Sequence, residues 1–337
     1  MDFLLTSEQD EIVSSVNTFL GTELPHARRR ELLAEGAVVD DDLWRKCGSL
    51  GWFGLGLGEA VGGVGYGLTE EALLFREIGR HLAPGPYLAT VLAARVASGP
   101  QQSAILDGSV QVALVAMQRA DVGADRVEGS ALVYDHRVAD LGLIVNPGGA
   151  ALVELARFSE TTPAPSIDPS ISVATALAEG LQPVAYVSGA DDPIFVRGAV
   201  LVAAMASGTA EATRDLSAAH ARSRVQFGKP IGVHQAVKHA CTDMAVRAEA
   251  AAMQTFVAAM TLDNDRLDAA FQASAAKVVA TDAALENARA AIQVHGGLGF
   301  TWEHDSHLHM KRAHLLDHML GSRREHLATL IDLPPAQ

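Results

Sequence analysis

Four of the thirteen histidines of this 337-residue chain lie within twelve positions near its C-terminus, in HLHMKRAHLLDHMLGS (307–322). Imidazole binds metals and exchanges protons near neutral pH. His314 and His318 have the i, i+4 spacing of two ligands on one helix face, which they share with His307 and Lys311. No HExxH motif and no nearby set of carboxylates and cysteines completes a metal site, and nothing directs these rings to a substrate. We predict no metal here, and histidines that are exposed or lie at an interface.

A segment with a different chemistry precedes them. In SRVQFGKPIGVHQAVKHACTDMA (223–245), we expect Arg224 and Phe227 on the last turn of one helix, and His234 and Gln235 at the start of the next. A guanidinium presents a planar fork that suits a diphosphate. A neighbouring phenylalanine offers a flat apolar surface.

A second segment, AAIQVHGGLGF (290–300), follows about sixty residues later. Gln293 is expected at the end of a helix, and the glycines after it let the backbone approach another group closely. Together the two segments suit an adenine dinucleotide. The residues alone leave a second interpretation open, in which Arg224 caps helix carbonyls and the glycines only form a turn.

The glycine-rich GLGLGEAVGGVGYG (54–67) is not interpreted as a nucleotide-binding loop. No predicted strand precedes it, no suitable acid follows on a second strand, and its spacing differs from the dinucleotide-binding fingerprint.

These segments need elements to position them. Helical periodicity extends from Ser7 to about Gly99, short apolar runs between Ile105 and Val196 indicate antiparallel strands, and helices return from Gly198 onward. The segment ETTPAPSIDPS (160–170) is expected to be the longest loop of the β-region. The prediction is a mostly α fold with a small β-domain, divided into 1–102 (helical), 103–196 (β) and 197–332 (helical bundle).

Composition excludes several classes of protein. With 26 basic and 40 acidic residues the formal charge is −14, so nucleic acid is not an expected partner. Cys47 and Cys241 form no CxxC motif, and the N-terminus is acidic where a signal peptide is basic. No apolar run reaches the length of a membrane span. We expect a cytoplasmic protein with no membrane contact.

The two segments closely resemble signatures of the acyl-CoA dehydrogenase family of flavoproteins. In that family an RxxFG turn, an HQ pair and a QxxGGxG turn hold the ADP part of FAD, across a dimer interface. LGWFGLGLGEAVGGVGYGLTEEALLFREIGRHLAP is similar to the family's N-terminal region, and SAAKVVATDAALENARAAIQVHGG to the helix before its glycine turn. The resemblance implies a fold of N-terminal helices, a central antiparallel β-domain and a C-terminal four-helix bundle. It also implies FAD contacts from Arg224, Gln226, Phe227, His234, Gln235, Gln293, Gly296, Gly297 and Ser322.

The resemblance also shows where this chain departs from the family. Counting forward from the glycine turn puts Leu320 at the place of the glutamate that removes the substrate's α-proton. Some members carry that base at the start of the first C-terminal-domain helix, where this chain has Gly198 between Arg197 and Ala199. Both positions lack a base, and Asp317 is the nearest acid that could substitute.

The β-region lacks convincing counterparts of the family's TEP-x-AGS segment and of its tryptophan-containing strand, which embrace the flavin ring. The resemblance therefore implies a shortened, non-catalytic subunit of an α2β2 acyl-CoA dehydrogenase, whose catalytic paralogue supplies the base. Actinobacterial enzymes acting on steroid side-chain CoA thioesters have such subunits. The alternatives are a homo-oligomeric dehydrogenase with Asp317 as the base, a flavin monooxygenase of the same fold, and a scaffold subunit without flavin.

Overall fold

The computed structural model describes residues 4–35 and 39–333, the side chains of 119–121 excepted. The first helix begins with a reciprocal pair of bonds, in which the amide of Gln9 donates to Thr6 Oγ1 and the amide of Thr6 donates to Gln9 Oε1. The helices of the described residues are α1 Ser7–Glu23, α2 His26–Ala34, α3 Asp41–Ser49, α4 Leu68–Arg80, α5 Tyr87–Val96, α6 Gly99–Leu106, α7 Ile194–Ser223, α8 Gln235–Asp263, α9 Ala269–His295, α10 Ser306–His318 and α11 Arg323–Asp332.

The central strands form one sheet in the order β5-β6-β2-β1-β3-β4-β7. Its strands are β1 Val112–Val122, β2 Val127–Tyr134, β3 Leu141–Asn146, β4 Gly149–Glu154, β5 Ser159–Ala164, β6 Val173–Leu181 and β7 Ala185–Ser188. Most neighbours are antiparallel, as predicted, but β1 and β3 pair in parallel. β2 runs antiparallel to β1 along one edge of that strand. The chain then crosses to the other edge of β1, where β3 runs in the same direction as β1.

Side chains of alternate residues form the core of the sheet, because successive side chains of a strand point to opposite faces. Ala113 and Val115 of β1 lie in this core, together with Ala151 and Val153 of β4. The predicted loop over 160–170 is wrong in its first half, because β5 pairs with β6 there. Pro163 is tolerated in β5 because that strand lies at the edge of the sheet.

The chain divides into two compact units, each built from separated segments. The first comprises Met1–Gly21, Ala72–Ala83 and Ala199–Gln337, and so contains α8 to α11 and most of α7. The second comprises Thr22–Glu71 and Pro84–Gly198, and contains the sheet. Mostly helical structure with one β-region confirms the predicted fold class, while the predicted boundaries near 102 and 196 stay a prediction.

Within the first unit, α4 and α7 cross at two glycines. A Cβ on Gly208 would lie 1.8 Å from the carbonyl oxygen of Arg76, and one on Gly79 would lie 2.0 Å from that of Met205. Only glycine permits so close a backbone approach. Beside the crossing, Arg80 pairs with Glu211 at 3.3 Å. This contact fixes α7, whose C-terminal end leads into the first candidate segment.

Within the described residues, α7 is the helix that is long and apolar enough to cross a membrane by length and composition alone. Of its most apolar 18-residue window, 78 % is buried inside the protein, as in a core helix.

Candidate functional site

The first segment forms a hairpin after α7, which we call the arginine turn (residues 224–230). The helix ends at Ser223, so the prediction that Arg224 and Phe227 lie on its last turn is wrong. Two short strands, Val225–Gln226 and Lys229–Pro230, pair instead. Phe227 and Gly228 connect them with φ values of 51° and 76°, both positive, as a tight two-residue hairpin turn requires.

Backbone bonds fix Arg224 at the base of this hairpin. Its amide donates to the carbonyl of His220 at 2.8 Å, and its own carbonyl accepts from the amide of Ile231 at 2.8 Å. The side chain is exposed. Among the described residues the guanidinium has no hydrogen bond or ion pair, so it does not cap the carbonyls of α7. It is available to an external anion.

Phe227 stands at the tip of the hairpin with 95 % of its surface exposed. Gln226 beside it is also exposed, and its side-chain amide donates to the carbonyl of Val225 at 2.7 Å. His234 is the N-cap of α8 without a side-chain capping bond, and Gln235 is the first residue of that helix; both are exposed. The amides of a helix N-terminus favour an anion.

The charge of this segment is opposite to that of the whole chain. Between Asp215 and Asp243 there is no acidic residue, although the formal charge of the chain is −14. Four basic residues lie in that interval and all are exposed: Arg222, Arg224, Lys229 and Lys238. A local positive field on an acidic protein favours a phosphate-bearing ligand.

The second segment forms the glycine turn (residues 296–299) at the end of α9. Gly296 has φ +61°, a conformation that L side chains rarely adopt. A Cβ on Gly296 or Gly297 would meet no atom within 4 Å, whereas one on Gly299 would lie 2.9 Å from the carbonyl oxygen of Ile292. The first two glycines therefore leave an open surface rather than a packing contact. Gln293, in the last turn of α9, is exposed beside them.

Two contacts bring the turns together within the first unit. The rings of His220, one turn before Arg224, and His295, directly before Gly296, lie 4.3 Å apart between centroids. Further back, the fully buried Asn287 of α9 donates to the carbonyls of Ala210 in α7 and Met244 in α8, at 3.1 and 2.9 Å. An exposed guanidinium, an open glycine backbone and a helix N-terminus thus share one region, and these groups fit an adenosine diphosphate moiety.

A third turn, residues 317–322, contains the position that the family's glutamate would occupy. Leu320 is 8 % exposed and has φ +52°, and Gly321 follows with φ +94°. The wholly buried Lys277 donates to the carbonyls of Asp317 and Gly321, each at 3.1 Å. Nε2 of His326 lies 2.9 Å from the carbonyl oxygen of Leu320. Buried side chains therefore hold this backbone independently of the side chain at position 320.

The electrostatics of the third turn follow from burial. Burial lowers the pKa of Lys277 to about 8, against the opposing effects of Asp317 and Glu325. Asp317 Oδ1 is buried without a hydrogen-bond partner. Ser322, predicted as a cofactor contact, has its hydroxyl in a capping box with Glu325 at the start of α11. Its cofactor role stays a prediction.

The second position considered for a base lies in the first turns of α7. Arg197, beside Gly198, pairs with the buried Glu71 of α4 at 2.7 Å, and Glu71 also accepts from the amide of Gly56 at 3.1 Å. Sequence reasoning missed this ion pair, because 126 positions separate its members. Its one signal in the sequence is Arg197, a charged residue inside the otherwise apolar first half of α7.

The histidine-rich helix differs from expectation. His307 and His309 are buried within the chain, so the prediction of histidines that are exposed or at an interface is wrong for these two, whereas His314 is half-buried and His318 is exposed. The edge of His307 contacts Trp302, with centroids 5.0 Å apart. In the described part of the chain, no group of three histidine, cysteine, aspartate or glutamate side chains is placed to hold a metal.

Comparison with known proteins identifies the family. The family model of the acyl-CoA dehydrogenase N-terminal domain matches residues 6–103, and that of the C-terminal domain matches residues 193–331. The chain belongs to the acyl-CoA dehydrogenase family. It is 32 % identical to the acyl-CoA dehydrogenase IpdE2 of Mycobacterium tuberculosis, over 96 % of both chains. FAD is the cofactor of this flavoprotein family, as the sequence resemblance predicted.

Two solved structures share the fold. A chain of the ChsE4-ChsE5 complex from Mycobacterium tuberculosis matches with a TM-score of 0.86 and 24 % identity, over 100 % of both chains. A chain described as the Tcur3481-Tcur3483 steroid ACAD G363A variant matches with a TM-score of 0.83 and 24 % identity, over 96 % of this chain and 97 % of that one. At this identity the likeness establishes the acyl-CoA dehydrogenase fold.

Proposed function

We propose that this chain is a subunit of a heteromeric FAD-dependent acyl-CoA dehydrogenase, and that it holds the ADP part of FAD while a partner subunit supplies the catalytic base. The reaction is the α,β-desaturation of an acyl-CoA thioester. The observation that carries the proposal is Leu320, a hydrocarbon side chain on a turn whose carbonyls are already held by Lys277 and His326. Leucine accepts no proton, so the α-proton needs a base from elsewhere.

When bound, FAD supplies the acceptor for the hydride that leaves the β-carbon of the thioester. The contribution of this chain is binding and orientation. Arg224 would pair with the diphosphate, and Phe227 would cover an apolar face of the cofactor. Gln293 and the bare backbone of Gly296 and Gly297 would supply neutral hydrogen bonds.

An exposed apolar surface around the two turns supports a partner subunit. Single exposed apolar residues are ordinary, but a concentration of them around a polar site is typical of an interaction surface. The exposed apolar residues of the two turns and their flanks are Val225, Phe227, Val233, Leu298, Phe300 and Trp302. An α2β2 assembly in the cytoplasm, in which these residues meet the catalytic paralogue and its FAD, accounts for them. The description of one structural neighbour as a complex of two differently named chains is consistent with this.

The acyl group is proposed from the neighbours rather than from this chain's residues. One structural neighbour is described as a steroid enzyme, so the proposed substrate is a steroid side-chain CoA thioester.

Co-expression with a family paralogue that carries the glutamate tests the proposal. The complex should purify with a flavin spectrum and desaturate the thioester, whereas this chain alone should show negligible turnover. Arg224→Ala should lower the FAD content of the complex, and Arg157→Ala, an exposed arginine of the β-region, should leave it unchanged. An ordinary rate of desaturation by the purified single chain would disprove the half-site role.

One observation favours a second candidate. Asp317 Oδ1 is buried without a hydrogen-bond partner, so Asp317 is available as a relocated base in a homo-oligomeric enzyme. In that case Asp317→Asn would lower turnover by about 10² or more with FAD content unchanged. Two alternatives remain. Consumption of oxygen by the reduced flavin would identify a flavin monooxygenase, and a purified complex without flavin absorbance would identify a scaffold subunit.

A further inference from the structure

Three imidazole rings form a column between the two turns of the candidate site. The ring of His295 lies between those of His220 and His304, with centroid distances of 4.3 and 4.1 Å and interplanar angles of 32° and 43°. We call these three residues the histidine column. Aromatic rings at such distances attract one another beyond the area that they bury.

Each member of the column is tied to backbone that shapes a turn. The carbonyl of His220 accepts the amide of Arg224 at 2.8 Å, and His295 directly precedes Gly296. His304 Nδ1 accepts from the amide of Ser306 at 3.2 Å, at the start of α10. The column therefore connects the end of α7, the end of α9 and the start of α10.

The hydrogen bonds also define the neutral tautomers. His295 Nδ1 lies 2.7 Å from the carbonyl oxygen of Ala291. A carbonyl can only accept, so Nδ1 of His295 has the proton and Nε2 has the lone pair. In His304 the bond from Ser306 leaves the proton on Nε2. In their neutral forms the two facing rings therefore have their protons on different nitrogens.

We propose that His295 is a positioning residue, which holds the arginine turn and the glycine turn at the separation that an adenosine diphosphate group needs, and which does so only as a neutral ring. This inference rests on the proposed function for its ligand. Its structural part, the coupling of one turn to the other through the column, is independent of any cofactor.

Protonation of His220 or His295 destabilises the histidine column. Burial lowers the pKa of His295, and burial, then His295 and Arg224, lower that of His220. Both rings are neutral at pH 7.5, and acidification below about pH 6.5 favours an arrangement in which they separate. Other charged or titratable groups of the segments that carry the column include Arg222, Arg224, Arg289, Glu303, Asp305, His307, His309 and Lys311.

Hydrogen–deuterium exchange of the full chain tests the coupling without a ligand. His295→Ala on α9 should speed the exchange of amides 224–233, beyond α7, by about tenfold at pH 7.5, because two ring contacts are lost. His295→Phe keeps a flat ring and should retain most of the protection. After correction for intrinsic exchange, the wild type should lose protection in this segment at pH 5.5, and His295→Phe should lose less. His239→Ala, an exposed histidine of α8, is the matched control.

Unchanged protection of residues 224–233 in His295→Ala would overturn the proposal, as would an acid response of His295→Phe equal to that of the wild type. Titration of the full chain with ADP at pH 7.5 provides the second measurement, in which His295→Ala should bind about tenfold more weakly and His295→Phe within about twofold of the wild type. If exchange changes as expected but the FAD content of the complex is insensitive to Arg224→Ala, the coupling through the histidine column stands. The proposed binding of FAD by the arginine turn is then wrong.

Discussion

The ammonium group of Lys277, in the first half of α9, donates a hydrogen bond to the carbonyl oxygen of Gly321 at 3.1 Å, in a turn 44 positions away. The same group holds the carbonyl of Asp317. Both acceptors are neutral backbone groups and the lysine is wholly buried, so its charge is incompletely compensated, although Asp317 and Glu325 oppose the effect of burial. Holding the turn at Leu320 therefore costs the free energy of burying the charge of Lys277.

That cost predicts a pH dependence of stability. The folded chain releases the proton of Lys277 near pH 8, and the unfolded chain near pH 10.5. Between these values the unfolded state binds more protons, so the contribution of Lys277 to the free energy of unfolding rises with pH, by roughly 3 kcal/mol over the whole interval. Below pH 8 both states are protonated and the full cost remains.

Urea unfolding of the wild type and Lys277→Met between pH 7 and 10.5 measures this contribution. The free energy of unfolding of the wild type should rise relative to that of Lys277→Met as pH increases from 8. Lys238→Met, which replaces an exposed lysine, should follow the wild type at every pH. Parallel curves for the wild type and Lys277→Met would contradict the assignment.

A second prediction concerns Asn287, which joins three helices of the first unit. Its amide donates to the carbonyls of Ala210 and Met244, and its oxygen accepts from Arg247 at 3.2 Å. Asn287→Ala removes three hydrogen bonds, two of them to buried carbonyls, and should lower the free energy of unfolding by about 3 kcal/mol. Asn264→Ala, at an exposed helix end with one local bond, should cost less than about 1 kcal/mol. Chemical denaturation measures both, and equal losses would count against the bridging role.

The sequence predicts the parts of this protein that depend on neighbours in the chain. Periodicity gives the long helices, and the residue types around Arg224 and Gly296 indicate the two turns. Pairing between distant segments cannot be predicted in this way. The edge strand β5 around Pro163 has the composition of a loop, and β5 can be recognised as a strand only once its partner β6 is known. Likewise, a lysine in a helical pattern normally indicates an exposed position, and the burial of Lys277 becomes apparent only from its bond to Gly321.

A third prediction tests the crossing of α4 and α7. Alanine at position 208 would bring its Cβ within 1.8 Å of the carbonyl oxygen of Arg76, a backbone atom that cannot move aside, so Gly208→Ala should lower the melting temperature. Gly21 of α1 is the matched control, because a Cβ there would meet only a side-chain atom of His81 at 4.0 Å. Gly21→Ala should raise stability by about 0.5–1 kcal/mol, the usual gain in a helix. Thermal unfolding that ranks the two variants in the opposite order would refute the close approach.

The last prediction concerns Phe227 at the hairpin tip, and distinguishes a role in folding from a role in binding the cofactor. Phe227 is 95 % exposed and Leu267, in the loop between α8 and α9, is 96 % exposed. Neither residue contributes to the core of the single chain, so Phe227→Ser and Leu267→Ser should each change the free energy of unfolding by less than about 0.5 kcal/mol. Phe227 lies at the tip of the arginine turn, where it would cover an apolar face of the cofactor. Phe227→Ser should therefore reduce the FAD that co-purifies with a complex of this chain and a base-bearing paralogue, measured from the flavin absorbance per complex. Leu267→Ser should retain it. If both variants keep their flavin, the exposed ring has no part in binding the cofactor.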